Sequence, residues 1–353
     1  MRLPTHQEMK GKDYGTKIIK YLLSAAVACF LLYFTFRGVK WDDFITGLET
    51  CRWGYILLSM AAGILAFWFR GQRWREILLP IDNGIRRITT FNAVNIGYIA
   101  NFVFPRIGEF VRCGFITRNS GTESQGADGT RRKKASYDKV LGTVVLERSW
   151  DMLTMLLFLV ALLVFKWKDF GAFFVEKMWK PFEENLNFSL WWLLLGVAVL
   201  FAAIMYTVYR TRDRFPACRK AADICKGLLQ GIFSCLKMKN KWRFFLYTLL
   251  IWLMYWLMSA ATMNAMPGLD GLGAVDALFL MIAGSFGWLV PVPGGFGAFH
   301  FIVSLALSTI YGVPFETGII FATLSHESQA ITMAVCGGIS YVYETFRGGV
   351  SED

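Results

Sequence analysis

The sequence predicts an all-α polytopic membrane protein, with about six full transmembrane helices plus two re-entrant broken-helix hairpins arranged as an inverted repeat. Three observations predict it. The 353 residues are 55% hydrophobic, 16% aromatic and only 18% charged, whereas a soluble domain carries roughly 25% charged residues. Six apolar stretches approach the ~20 residues that a helix needs to cross a bilayer. The basic residues, finally, alternate in density between successive loops, as they do across a membrane.

The spans read in order as residues 18–36, 53–69, 140–166, 190–209, 244–263 and 315–342, the last carrying His326, Glu327 and Gln329. The basic start (Arg2, Lys10, Lys12, Lys17) before the first run resembles a signal peptide. That run is longer than a signal core and no A-x-A site follows, so it is taken as a retained span. Two further apolar segments, 88–117 and 275–312, are broken by Pro and Gly. Each reads as two short helices around a kink.

With the broken segments as hairpins that enter and leave on one side, 26 Lys or Arg fall on the inner side and 7 on the outer side. The other four, Lys20, Arg106, Arg112 and Arg148, are at or within membrane segments. This bias predicts a cytoplasmic (inner) membrane protein with both termini cytoplasmic. Span, span, hairpin, span then recurs with opposite orientation. Residues 1–353 thus form a single integral membrane domain with repeat halves 18–166 and 190–342, the pattern of secondary transporters with a midplane site.

Two loops carry the inner charge. Residues 118–139 are polar, Gly- and Ser-rich and basic, the composition of a cytoplasmic linker. In 210–243, Cys218, Ala221, Cys225, Leu228, Ile232 and Leu236 recur at helical spacing between basic residues, which reads as an amphipathic segment on the inner leaflet. It either captures anionic headgroups or only sets topology. The net charge of +11 is therefore assigned to topology, and no nucleic acid is expected as a partner. Seven cysteines without a CxxC give neither a disulfide framework nor a zinc knuckle. No cofactor and no metal are expected.

Chemistry concentrates where ionisable residues sit at membrane depth, since each costs about 2.5–3.5 kcal/mol at a helix centre on insertion scales. Glu147 and Asp151 lie one turn apart with Arg148 three residues before Asp151, either a polar pathway or a lock between helices. In the first hairpin, Asn101 precedes Pro105, Arg106, Gly108, Glu109 and Arg112. A Pro-initiated helix start beside arginines makes an anion site that fits a phosphate, and a helix break with Glu109 bridging two arginines reads equally well. In the second hairpin, Pro291, Pro293, Gly294, Gly295 and Gly297 precede His300, and non-helical backbone at this depth needs a protein or aqueous cover. His326 and Glu327 lie about 16 Å into the last span by helical rise, matching the depth of Asp151. Arg70 and Arg73 end span two; each either holds phosphate or snorkels, and snorkelling is the favoured reading for either alone. HESQA is not HExxH, and neither a GxSxG elbow nor a Walker A loop occurs, so no catalytic residue is assigned.

At these residues the sequence resembles the flippase-like membrane family that includes the membrane region of lysylphosphatidylglycerol synthases. The matching pieces are RxxRW at Arg70 to Trp74, NxxxPxRxGExxR at Asn101 to Arg112, ERxxD at Glu147 to Asp151 and PxPGGxG at Pro291 to Gly297, in that order. The resemblance implies an integral membrane fold with re-entrant helices and a role in moving lipids between leaflets. In that family the PGG motif usually continues to a Glu where this chain has His300, so chemistry attributed to that Glu does not carry over. The aminoacyl-transferase domain of the full synthases has no counterpart here, and lysine transfer is not implied.

Besides a non-transporting membrane scaffold, two readings of function from different classes remain. The first is a lipid flippase-like transporter for a phosphate-bearing lipid, anionic or polyprenyl-type, with membrane lipids as its partners. Its substrate-binding residues would be Arg70, Arg73, Asn101, Arg106, Glu109, Arg112, Glu147, Arg148, Asp151, His300, His326 and Glu327. The second is a membrane-embedded transferase or accessory protein acting on lipid-linked substrates in envelope biogenesis, with Glu147, Asp151 or His326 as acid or base.

Overall fold

A computed structural model describes residues 26–37, 39–120, 135–166 and 240–349, together with single helical positions at 196, 199, 206 and 210. All regular structure among the described residues is helical. The helices are α1 (Ala26–Phe36), α2 (Trp41–Glu49), α3 (Trp53–Leu78), α4 (Arg87–Val103), α5 (Gly108–Asn119), α6 (Tyr137–Phe165), α7 (Lys241–Ala265), α8 (Ala274–Leu289), α9 (Ala298–Tyr311) and α10 (Phe315–Gly349). Short 3-10 turns occupy Pro267–Leu269 and Pro293–Gly295.

Three helical segments, Trp53–Leu78, Lys241–Ala265 and Pro293–Tyr311, are long and apolar enough to cross a membrane. The predicted span 190–209, most of the linker and the amphipathic segment, and the start of the first span lie outside the described residues. The chain divides into two compact units, Met1–Leu141 with Trp242–Asp353, and Gly142–Lys241.

In the first unit, 88–117 and 275–312 each fold into a helical hairpin. In the first, α4 ends at Val103, α5 begins at Gly108, and Arg106 in the connection takes a positive φ of 61°. The two arms close on each other because both carry glycine at the crossing. A Cβ on Gly108 would stand 2.1 Å from the Gly97 carbonyl oxygen, so no larger residue fits without parting the helices. Asn101 completes the turn by accepting the Gly108 amide proton through Oδ1 at 2.7 Å, satisfying one orphan donor of the α5 N-terminus.

The second hairpin is built by prolines and left-handed glycines. Pro291 and Pro293 remove donors after α8, and Gly294, Gly295 and Gly297 take φ of 59°, 77° and 77°, conformations that side chains disfavour. At the far ends of the arms, Tyr311 donates to Asp276 Oδ1 at 2.9 Å while Asp276 Oδ2 accepts the Gly273 amide proton at 2.8 Å. α9 then ends on Gly312 in the left-handed conformation, and Pro314 precedes α10. This stop signal turns the chain back, so that α10 packs along α9 and also against α3 and α4.

A hydrophobic core joins the start of α3 and the end of α7 with α8, α9 and α10 through Ile56, Met263, Leu280, Phe299, Val303 and Phe321. α1 packs on the second break: a Cβ on Gly297 would lie 2.8 Å from Leu31 Cβ and 2.9 Å from the Ala28 carbonyl. Large apolar side chains such as Leu57, Leu65, Leu249 and Ile339 are exposed. On helices long enough to cross a bilayer, such residues make a lipid-facing surface.

Two elements depart from the sequence reading: Pro293–Tyr311, read as one arm of a re-entrant hairpin, is long and apolar enough to cross a membrane, and α3 runs further than expected. The sequence reading ends span two at residue 69 and leaves Arg70 and Arg73 either to hold phosphate or to snorkel; α3 instead continues to Leu78 and both arginines are buried rather than reaching water, Arg73 at 0% exposure. The charges look like a span end only until their partners on other helices are known.

Candidate functional site

The two helix breaks meet. The Arg106 guanidinium, on the tip of the first hairpin, donates to the carbonyl of Leu289 at the C-terminal end of α8, where orphan carbonyls carry negative partial charge. Phe102 and Phe296 lie with ring centroids 6.2 Å apart. A Cβ on Gly294 would come within 2.9 Å of the Phe102 ring. Both sequence-predicted breaks therefore form one region of irregular backbone, held by an exposed arginine that adopts a conformation costing about 1–2 kcal/mol for a side chain.

Three further arginines, of α3 and α5, are buried. Arg112 of α5 stacks over the Trp74 ring at 4.5 Å from its centroid, which joins the RxxRW and GExxR motifs. Arg70 stands over Tyr98 at 5.8 Å and donates to the Tyr255 hydroxyl at 3.2 Å. Arg73 faces the Phe244 ring at 5.8 Å and the Thr248 hydroxyl at 3.5 Å. Aromatic faces suit guanidinium in a dry setting because the ring quadrupole attracts the cation and the planar group is weakly hydrated. Glu109 lies in the first turn of α5, where the helix dipole favours a carboxylate. Tyr98, Thr248, Phe244 and Tyr255 were not singled out in the sequence, since nothing local marks a hydroxyl or ring as an arginine's partner. Glu76 was missed too; it follows Arg70 and Arg73 at i, i+3, i+6, and its buried Oε2 has no hydrogen-bond partner among the described residues.

The third cluster sits against the second break. His326 Nε2 lies 2.9 Å from the Gly294 carbonyl oxygen and its Nδ1 lies 3.0 Å from Glu327 Oε1. His300 Nε2 lies 3.5 Å from the same Oε1. The His326 ring stacks on Trp288 with centroids 5.1 Å apart and meets Phe296 edge-on at 4.8 Å, while Phe36 of α1 lies 5.8 Å from His300. One signal for the meeting of the two histidines was available: each is twelve residues from the turn, His300 before Gly312 and His326 after Pro314. A helical hairpin places such residues at the same level.

In the second unit, Arg148 lies 3.5 Å from Glu147 and 3.6 Å from Asp151 on its own helix, with Glu147 fully buried and Arg148 half-exposed. The expected local pairing along α6 is thus present.

These features define a class: a helical membrane protein in which two broken hairpins meet tip to tip beside buried arginines and a histidine pair. Residues 21–337 match the family described as lysylphosphatidylglycerol synthase TM region. The chain belongs to that family. No curated protein and no solved structure matches it. The family and the membrane-spanning helices together make this an integral membrane protein with a lipid-related function.

Proposed function

We propose that the protein is a lipid flippase-like transporter that carries a phosphate-bearing lipid, anionic or polyprenyl-type, between leaflets. The observation that supports it most is the meeting of the two helix breaks with the Arg106 guanidinium between them. Within a bilayer, non-helical backbone is tolerated only where protein or a wet cavity covers it, and discontinuous helices facing each other are the usual construction of a transport site. Arginine adds the charge and planar donor fork that a phosphate oxygen pair requires. In this reading the headgroup passes the hairpin tips while its acyl chains stay in the bilayer, and Arg70, Arg73 and Arg112 supply positive potential behind the path.

The topology is part of the proposal. α5 and α8, of 12 and 16 residues, are about 18 and 24 Å long by helical rise, short of a ~30 Å hydrocarbon core. That supports hairpins that enter and leave on one side; repeat halves 18–166 and 190–342 in opposite orientation, cytoplasmic termini and residence in the inner membrane are proposed from the bias of basic residues among the loops. The activity is read as transport rather than catalysis.

Leaflet-resolved exchange of a fluorescent phosphatidylglycerol in proteoliposomes tests this. Protein-containing vesicles should expose inner-leaflet probe to an impermeant quencher faster than protein-free vesicles. Equal rates would end the transport reading; conversion of the lipid after adding an activated donor would favour the transferase reading instead.

A further inference from the structure

His300 and His326 stand on the two arms of the α9–α10 turn, and with Glu327 they bring three donor atoms within 4.8 Å of one another. We infer that this triad is a binding site for a divalent first-row transition metal of the zinc type, with His300 Nε2, His326 Nδ1 and Glu327 Oε1 as its protein ligands.

Two independent observations carry the assignment. The first is a hydrogen-bond contradiction. A carbonyl only accepts, so the 2.9 Å contact from His326 Nε2 to Gly294 O requires the hydrogen on Nε2. In the neutral ring, Nδ1 then presents a lone pair. That lone pair faces a carboxylate oxygen at 3.0 Å, and two acceptors at this distance repel unless a positive charge lies between them. The second is His300, buried at 1% exposure, whose Nδ1 has no hydrogen-bond partner among the described residues and whose Nε2 has there a 3.5 Å approach to the same Oε1. A buried imidazole without a hydrogen bond of ordinary length is unusual. One cation among the three atoms resolves both.

The geometry suits such an ion. Ligands bound at roughly 2.0–2.2 Å to one zinc stand about 3.0–3.5 Å apart, which brackets the 3.0 and 3.5 Å separations from Glu327 Oε1. The Nε2–H donated to Gly294 is the outer bond that fixes the tautomer and orientation of a metal-bound imidazole. Trp288, Phe296 and Phe299 clamp the His326 ring from its faces and edge. Two imidazoles and one carboxylate favour zinc and its neighbours over magnesium or calcium, which prefer all-oxygen shells. Three protein ligands leave a further coordination position, on the side where Glu327 is half-exposed.

The test needs no vesicles and so stands apart from the transport reading. The full chain is purified in detergent without a metal-affinity step, stripped with chelator and titrated with Co2+ and Zn2+, reading visible cobalt absorption and bound zinc per chain. One equivalent should bind, with at least tenfold weaker affinity in Glu327→Gln and in His300→Gln. Size-exclusion profiles and unfolding midpoints report whether each variant folds; Glu327, being half-exposed, carries the comparison where His300→Gln does not. Failure of the unaltered chain to bind, or unchanged affinity in the folded variants, would overturn the site and leave a proton as the charge between Nδ1 and Oε1.

Discussion

Adding a single methyl group at Gly108 should break the first hairpin. The Cβ of Gly108→Ala would lie 2.1 Å from the Gly97 carbonyl oxygen, 2.8 Å from its carbonyl carbon and 2.7 Å from Asn101 Oδ1. Both Gly97 atoms are backbone, so no rotamer change relieves the contact, and restoring ordinary separation moves α4 and α5 apart by more than 1 Å. Overpacking of this kind costs about 1–3 kcal/mol, and parting the helices also weakens the Asn101 cap on the Gly108 amide, worth about 1 kcal/mol. The expected loss is therefore about 2–4 kcal/mol. Gly114 supplies a control on the same helix, because nothing lies within 4 Å of its would-be Cβ. Gly114→Ala should leave stability unchanged or raise it by up to ~1 kcal/mol through helix propensity. Equilibrium unfolding of both variants in detergent measures the difference. Should the two agree within ~0.5 kcal/mol, the close packing of α4 on α5 would not exist as described.

Other perturbations address the charges. Arg148→Ala leaves the fully buried Glu147 without its 3.5 Å neighbour; with Arg148 half-exposed, the loss should be about 1–2 kcal/mol rather than the 3–5 of a fully buried pair, read as a lowered unfolding midpoint that Arg148→Lys partly restores. Arg106→Ala removes an exposed side chain from the hairpin tip, so lipid exchange should fall about tenfold, equal to ~1.4 kcal/mol of barrier, with the midpoint nearly unchanged; unaffected exchange would remove Arg106 from the path. Asp128→Cys in a cysteine-free background should resist an impermeant thiol reagent applied to intact cells, and labelling there would reverse the proposed orientation.

Both hairpins were legible in the sequence because Pro and Gly act locally. Pro105 and the Pro291–Gly297 run interrupt helices wherever they fold, since a missing donor and a left-handed φ need no tertiary partner. α3 was not legible past residue 69. Arg70, Arg73, Arg75 and Glu76 lower its polarity-averaged signal to that of a loop, and partners such as Tyr98, Phe244, Thr248 and Tyr255, up to 185 residues away, help make burial tolerable. The candidate site divides in the same manner. Each motif announced a polar group at membrane depth, but stacking of Arg112 on Trp74 and reach of Arg106 to Leu289 depend on which hairpin faces which. His300, His326 and Glu327 were each singled out as site residues, whereas their convergence on one oxygen follows from the turn at Gly312.

The central claim is that a lipid headgroup passes where the two hairpin tips touch, and locking that contact tests it most directly. Phe102 and Phe296, whose ring centroids are 6.2 Å apart, become a cysteine pair in an otherwise cysteine-free chain, joined by a short thiol-cleavable cross-linker after reconstitution. Leaflet exchange of fluorescent phosphatidylglycerol is then followed before and after reduction. Exchange should stop in the linked protein and return on reduction. Undiminished exchange with cross-linking complete would contradict the claim and place the lipid path elsewhere in the protein.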